Sequence, residues 1–319
     1  MPEQLPEVPL AGTHVTLRVA TPVGPISVVG EIVEADSERW LVRRRDGYVA
    51  EVSVGSIEAK REVPPGRSIT TSAREIEQIA AFGWRAIETV RLGDWLLRAS
   101  GGFTQRANSV LAIGDPGVDL DRAIDLASDW YAERALPTLV MEADGVAPAG
   151  LAASLAERGW ASRAETHVMT GEVAHALRAM PNAVALAVAA GLELRLADAP
   201  DEAWYACYAG ASVRSEDART VVEGHPAALF ASLRDGDQAV AVARAAVDAR
   251  WTGLTAVTVV PERRRQELGA AITLAALKEA ARRGGRHVYL QVEATNAAGI
   301  ALYERLNLRV HHDYRYWSP

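Results

Sequence analysis

Ten residues, Pro261-Glu262-Arg263-Arg264-Arg265-Gln266-Glu267-Leu268-Gly269-Ala270, join two segments of different character. Before them, Gly253 to Val260 is β-branched and apolar, the composition of a buried strand. After them, Leu268 to Arg282 is rich in Ala and Leu and reads as a helix. Pro261 stops the hydrogen bonding of the strand. A strand, a tight basic loop and a helix start together make an anion site. The first N–H groups of the helix lack intrahelical acceptors, the macrodipole favours negative charge, and arginines add charge-assisted bonds. A diphosphate is the natural guest.

A second constellation lies further on, in Asn296-Ala297-Ala298-Gly299-Ile300-Ala301-Leu302-Tyr303-Glu304. Together the two resemble the GNAT acetyltransferase superfamily. Its diphosphate loop follows a strand with the pattern Gln/Arg-x-x-Gly-x-Gly/Ala, in which Arg264 matches the first position and Gly269 the last. Its second signature is Asn-x-x-Ala-x-x-Leu-Tyr-Glu, with Gly299 here in place of the usual Ala. The likeness covers about Leu229 to Tyr316. The stretch from Leu92 to Thr104, with Arg106-Ala107-Asn108-Ser109, is similar to an actinobacterial group within that superfamily.

The resemblance implies acetyl-CoA as co-substrate and N-acetyl transfer to an amine by direct attack. It implies that the backbone at Val257, Thr258 and Val259 pairs with the pantetheine arm. Arg264, Arg265, Gln266, Glu267, Leu268, Gly269 and Ala270 would hold the diphosphate. Asn296 is similar to the residue that bonds the pantetheine or the helix start, and it also suits an N-cap. Tyr303 is similar to the tyrosine that protonates the departing thiolate, and a phenol with a pKa near 10 stays protonated at neutral pH. The general base is open between Glu293, Asp248, a water relay and an amine that arrives neutral. No metal is implied.

One departure bears on affinity. Glu267 stands where the pattern has its first glycine. A carboxylate about 5 Å from a phosphate oxygen would cost about 3 kcal/mol at an effective dielectric near 20, roughly a hundredfold in affinity. Pairing with Arg263 or Arg265 would reduce that cost. Unrelieved, it favours an alternative function, a non-enzymatic CoA sensor or interaction scaffold.

The elements around these residues divide into three segments, 8–63, 68–175 and 176–319. The first has alternating runs at His14 to Val19, Ile26 to Val33, Trp40 to Arg44 and Tyr48 to Val54, with an Asp46-Gly47 hairpin signal, and suggests an SH3-like β-barrel. Val63-Pro64-Pro65-Gly66 reads as a linker. The second opens with a helix capped by Ser72 and Glu75. Both the second and third end in strand, helix, strand: Thr138 to Glu142, Ala149 to Glu157 and Ala164 to Thr170, against His287 to Glu293, Ala297 to Leu306 and Val310 to Trp317. The expected fold is α/β (α+β), an SH3-like barrel followed by two tandem GNAT-like units. The first unit is degenerate, because its loop Gly114 to Asp121 is acidic and Leu155 stands where Tyr303 does. It would serve as scaffold or as the acceptor-side wall.

The chain has 319 residues, a formal charge of -7 and one cysteine, Cys207. These exclude a dominant nucleic-acid role and an internal disulfide framework. No apolar run spans a bilayer, so a soluble cytoplasmic protein without a membrane partner is expected. His311 and His312 are adjacent on a strand and should face opposite ways, which argues against a shared metal. The acceptor (small amine, antibiotic, peptide N-terminus or protein lysine), the acyl-chain preference and the oligomeric state are not readable from these residues.

Overall fold

The computed structural model describes residues 8–9, 13–21, 24–44, 49–62, 71–163, 165–208 and 215–319. The chain forms two compact units, Met1–Thr71 and Ser72–Pro319. In the first, β1 (His14–Val19), β2 (Ile26–Ala35), β3 (Arg39–Arg44), β4 (Val49–Ser53) and β5 (Ile57–Glu62) make an antiparallel sheet in the order β4-β3-β2-β1-β5. Alternation gives it one apolar face, where Val15 and Leu17 pack with Ile32, Trp40, Val42 and Val52. Asp36 fixes the β2–β3 turn by accepting from the N–H groups of Arg39 and Glu38 at 2.7 and 2.8 Å, which holds its carboxyl below the usual range. The Asp46-Gly47 turn and the Val63 to Gly66 linker lie outside the described residues.

The second unit runs α1 (Ala73–Gly83), β6 (Glu88–Leu92), β7 (Trp95–Ala99), β8 (Val110–Leu111), α2 (Leu120–Ala132), β9 (Val140–Ala143), α3 (Leu151–Glu157), β10 (Ala161–Ser162) and β11 (Thr166–Glu172). It continues with α4 (Val173–Ala179), α5 (Ala183–Ala189), β12 (Glu193–Ala197), α6 (Glu202–Tyr208), α7 (Glu216–Glu223), β13 (Ala228–Asp235), β14 (Gln238–Asp248) and β15 (Trp251–Val259). It closes with α8 (Leu268–Arg282), β16 (His287–Glu293), α9 (Ala297–Arg305) and β17 (Arg309–Ser318). The capping box expected at α1 is present, with Ser72 and Glu75 bonded reciprocally.

All twelve strands share one sheet, ordered β12-β13-β14-β15-β16-β11-β17-β9-β8-β7-β6 with β10 on β17. At β13 the sheet is buried on both faces. Leu229, Ala231 and Leu233 of β13 pack with α8, whereas Ala228 and Phe230 pack with Trp84, Trp204 and Tyr205. Helix α8 buries ten residues, including Leu274 and Leu277; a helix apolar nearly all round belongs inside.

Apart from β10 and β12, the two halves follow one element order: three antiparallel strands, a helix, a strand parallel to the last of the three, a short helix, a final strand. Parallel pairing joins β8 to β9 and β15 to β16. The final strands then cross over. β11, from the first half, lies between β16 and β17, and β17, from the second, lies between β11 and β9. Each half thereby supplies the neighbour that the other half's sheet needs, as in a domain swap within one chain. Helix α1 adds a second clasp. The Tyr289 hydroxyl sits where a Cβ on Gly83 or Gly253 would be, so those two glycines let α1 close onto the sheet. The Arg244 Nη1 group donates to the Gly83 carbonyl at 3.0 Å.

The histidine pair departs from expectation. Val310 is opposite Met169 and His312 opposite Val168, so His311 is an extra residue in β17. The bulge breaks the alternation that would separate the rings, and their Nδ1 atoms lie 2.9 Å apart. His312 uses its Nε2 on Glu77, at 2.9 Å.

Candidate active site

The site begins where β15 and β16 part. Their parallel ladder covers only Trp251 to Gly253 against His287 to Tyr289. From Leu254 onward the β15 edge toward β16 has no strand partner among the described residues. On its other edge β15 remains on β14, but the register skips: Thr255 faces Arg244 and Thr258 faces Val242. Ala256 takes φ 54°, a conformation that disfavours residues with a Cβ. Such a bulge bends its strand, which accounts for the divergence. Val257 and Thr258 line the resulting cavity, whereas Val259 packs on the α8 core.

The basic loop follows. Pro261–Arg263 is a 3₁₀ turn, and Arg265 and Glu267 both have φ 59°. Ala271 makes the first helical bond, to the Glu267 carbonyl. The amides from Arg265 to Ala270 reach no acceptor among the described residues. Helices α1, α7 and α9 satisfy early amides with Ser72, Ser215 and Asn296; Glu267, the N-cap of α8, makes no such bond. A run of open amides bent through left-handed residues is an anion-binding concavity.

The arginines do not all serve it. Arg263 bonds Asp235 at 2.7 Å and Gln266 at 3.1 Å. Arg264 Nε donates to the Val259 carbonyl at 3.4 Å. Arg265 is exposed and has no side-chain partner among the described residues. Glu267 pairs neither with Arg263 nor with Arg265; its partner is Arg305 of α9, at 2.6 Å. The carboxylate thus bonds α9 while its amide stays open. Gly269 is a packing residue, since a Cβ there would stand 3.1 Å from the Leu302 side chain.

Asn296 caps α9 by accepting from the Gly299 amide at 2.9 Å. A Cβ at Gly299 would come 2.7 Å from the Asn296 amide nitrogen, so glycine there accommodates the cap. Tyr303, 9 % exposed, packs in the α8 core and also lines the cavity. Burial pushes its phenol up to about 12. Glu293 is exposed at the end of β16 and lines the same cavity. Asp248, at the far end of β14, does not.

The cavity, about 460 Å³, has a second wall that motif reading did not assign a role. Thr104, Gln105 and Arg106 come from the loop between β7 and β8, Thr166 from β11, Tyr208 from α6, and Tyr314 and Tyr316 from β17. Buried Asn108 shapes that loop with all four of its amide hydrogen bonds: it accepts from Ser100 and Gly102 and donates to Phe103 and Thr104. Trp84 completes the wall, its Nε1 bonded to Thr104. The clue lay in the Leu92 to Ser109 stretch, which contains both Arg106 and Asn108. Away from the cavity, Asp144, Glu165 and Asp313 gather carboxylate oxygens within 4.8 Å. Arg315 and His167 lie against them.

A family model described as "Probable histone acetyltransferase Rv0428c C-terminal" matches residues 70–317. The "Probable histone acetyltransferase Rv0428c" of Mycobacterium tuberculosis is 30% identical over 318 residues, covering 97% of this chain and 95% of that protein. The chain belongs to the Rv0428c family, within the GNAT N-acetyltransferases. A further relative, the "Uncharacterized N-acetyltransferase YobR" of Bacillus subtilis, is 25% identical over 249 residues, 76% of this chain and 97% of that one. The family fold is shared with a GCN5-related N-acetyltransferase from Kribbella flavida, with TM-score 0.59 and 21% identity over 77% of this chain and 95% of that chain. Among the described residues no helix is long and apolar enough to cross a membrane.

Proposed function

We propose that the chain moves the acetyl group of acetyl-CoA to a primary amine by direct attack. The main support is one cavity lined by Val257 and Thr258 of β15 with Asn296, Tyr303 and Glu293, together with the open amides at the start of α8, the next helix along the chain. The β15 edge offers strand-like pairing to an extended arm. The α8 amides and Arg265 suit a diphosphate. Glu293 takes a proton from the incoming ammonium, the amine nitrogen bonds the acyl carbon as the C–S bond breaks, Tyr303 gives its proton to the thiolate, and the second proton that the nitrogen sheds as the amide forms returns to Tyr303. The pairing of Glu267 with Arg305 relieves the charge conflict on which the scaffold alternative rested.

Within this function, residues 68–175 and 176–319 act as two GNAT-like units, the first without a diphosphate loop of its own. The five strands of 8–63, with β1 between β2 and β5, fit an SH3-like barrel. The single cysteine and the charge suit a cytoplasmic protein. The name of the Mycobacterium relative points to histones as one acceptor class. Thiol release from acetyl-CoA tests the reaction: it should require an amine and fall sharply in Tyr303→Phe. Unchanged turnover in that variant would contradict the acid role.

A further inference from the structure

The acceptor wall carries an imbalance of charge. Glu77 is the only Asp or Glu among the described residues with under a tenth of its surface exposed, and His312 holds it. Against it stand Arg106 in the wall and Arg244 behind the wall. Arg244 is fully buried; its Nε donates to the Val222 carbonyl, and its Nη1 to Gly83 and to Thr255, which lines the cavity. Trp84, also in the lining, lies on its guanidinium at 5.0 Å. Neither arginine has a carboxylate within 4.0 Å among the described residues. Burial lowers Arg244 to about 10, so it remains charged at neutral pH. Glu77 acts on Arg106, and the two arginines are close enough to affect one another; one buried acid facing two cations leaves this region short of an anion.

Polar groups of the wall match that deficit. The Arg106 Nε and both amide atoms of Gln291 are buried without a partner, and both side chains line the cavity. Tyr314 lies near Arg106 and lines the cavity too. A guanidinium, an amide and a phenol converging on one space are donors for a carboxylate. At the exposed end of β16, Glu293 is the one acidic residue of the lining. Positive inside and negative at the mouth, the cavity is arranged for a zwitterion.

We infer that the acceptor is a small amine bearing a carboxylate, an amino acid or a short relative of one, held through its carboxylate by Arg106 with Gln291. This rests on the acetyl transfer proposed above and names its acceptor class. A lysine within a basic peptide brings the wrong charge to this wall. A volume near 460 Å³ suits a small molecule.

The test compares free amino acids and short ω-amino acids with their carboxamides, and with a lysine-rich peptide, by thiol release from acetyl-CoA. Carboxylates should have kcat/KM higher on the order of 10- to 100-fold. Arg106→Met should erase that ratio, and Arg106→Lys should keep part of it. Equal or better turnover of the amides or the peptide, or a ratio untouched by Arg106→Met, overturns the inference. A calorimetric arm needs no turnover: N-acetyl amino acids and their amides are titrated onto the CoA-loaded protein. Tighter binding of the acids by about tenfold supports the inference, and equal or absent binding overturns it. If acetyl-CoA binds but no amine releases thiol, the transfer itself fails while the calorimetric arm still decides the carboxylate site.

Discussion

The loop into α8 and the loop into α2 occupy the same place in the two halves, between a buried strand and a helix, yet they treat their amides in opposite ways. In Arg265 to Ala270 the amides are open and the carboxylate of Glu267 is drawn off by Arg305. In Gly114 to Asp121 carboxylates have moved in. Asp94 accepts from the Asp115 amide at 3.1 Å, and Asp115 accepts from the Gly117 amide at 2.7 Å. An anion site therefore depends less on how many arginines surround it than on which donors remain unspent. Arg263 illustrates this, being basic, adjacent and committed to Asp235.

The largest expected difference between the halves concerns the short helices. Tyr303→Phe should lower kcat by about 10²- to 10⁴-fold, the range for loss of a general acid. Its counterpart Leu155 is fully buried, so Leu155→Ala should cost about 2–5 kcal/mol of stability while folded protein keeps its kcat. Steady-state kinetics beside urea unfolding would separate the two. Next, Arg305→Ala should free the Glu267 carboxylate and raise the acetyl-CoA Kd by about tenfold. Adding Glu267→Gly should restore it, and a double-mutant cycle by calorimetry measures that coupling. Independent effects would break the contrast drawn between the loops.

Asp115→Ala should leave acetyl-CoA affinity unchanged and lower stability by about 1 kcal/mol, a few degrees in Tm, because one amide loses its acceptor. The smallest expected effect is in pH. Since burial raises the Tyr303 phenol from 10.0 to about 12, its neutral donor form persists as pH rises and is lost only through the raised value. No alkaline fall in kcat should appear below pH about 10; a fall near pH 9 would assign the proton to another group.

The chemistry of α8 was legible in the sequence because all its parts are local: strand, proline, arginines and helix start lie in one run. The bounds of α8 and β16 were legible too, for the same reason. The acceptor wall was not. Arg106, Tyr208, Tyr314 and Tyr316 meet only because β11 and β17 change places, and no periodicity records such an exchange. Glu267 looked damaging because its cation, Arg305, stands far along the chain on α9. The histidine pair misled because one extra residue in β17 cancels the alternation on which face assignments rely.

The central claim is that one loop of the two binds the diphosphate. Calorimetric titration of acetyl-CoA onto the full chain, with Arg265→Glu and Asp115→Ala beside the unaltered protein, tests it most directly. The expected result is one acetyl-CoA per chain, weakened by about tenfold or more in Arg265→Glu and unchanged in Asp115→Ala. Two acetyl-CoA molecules per chain, or binding that follows Asp115 rather than Arg265, would contradict it.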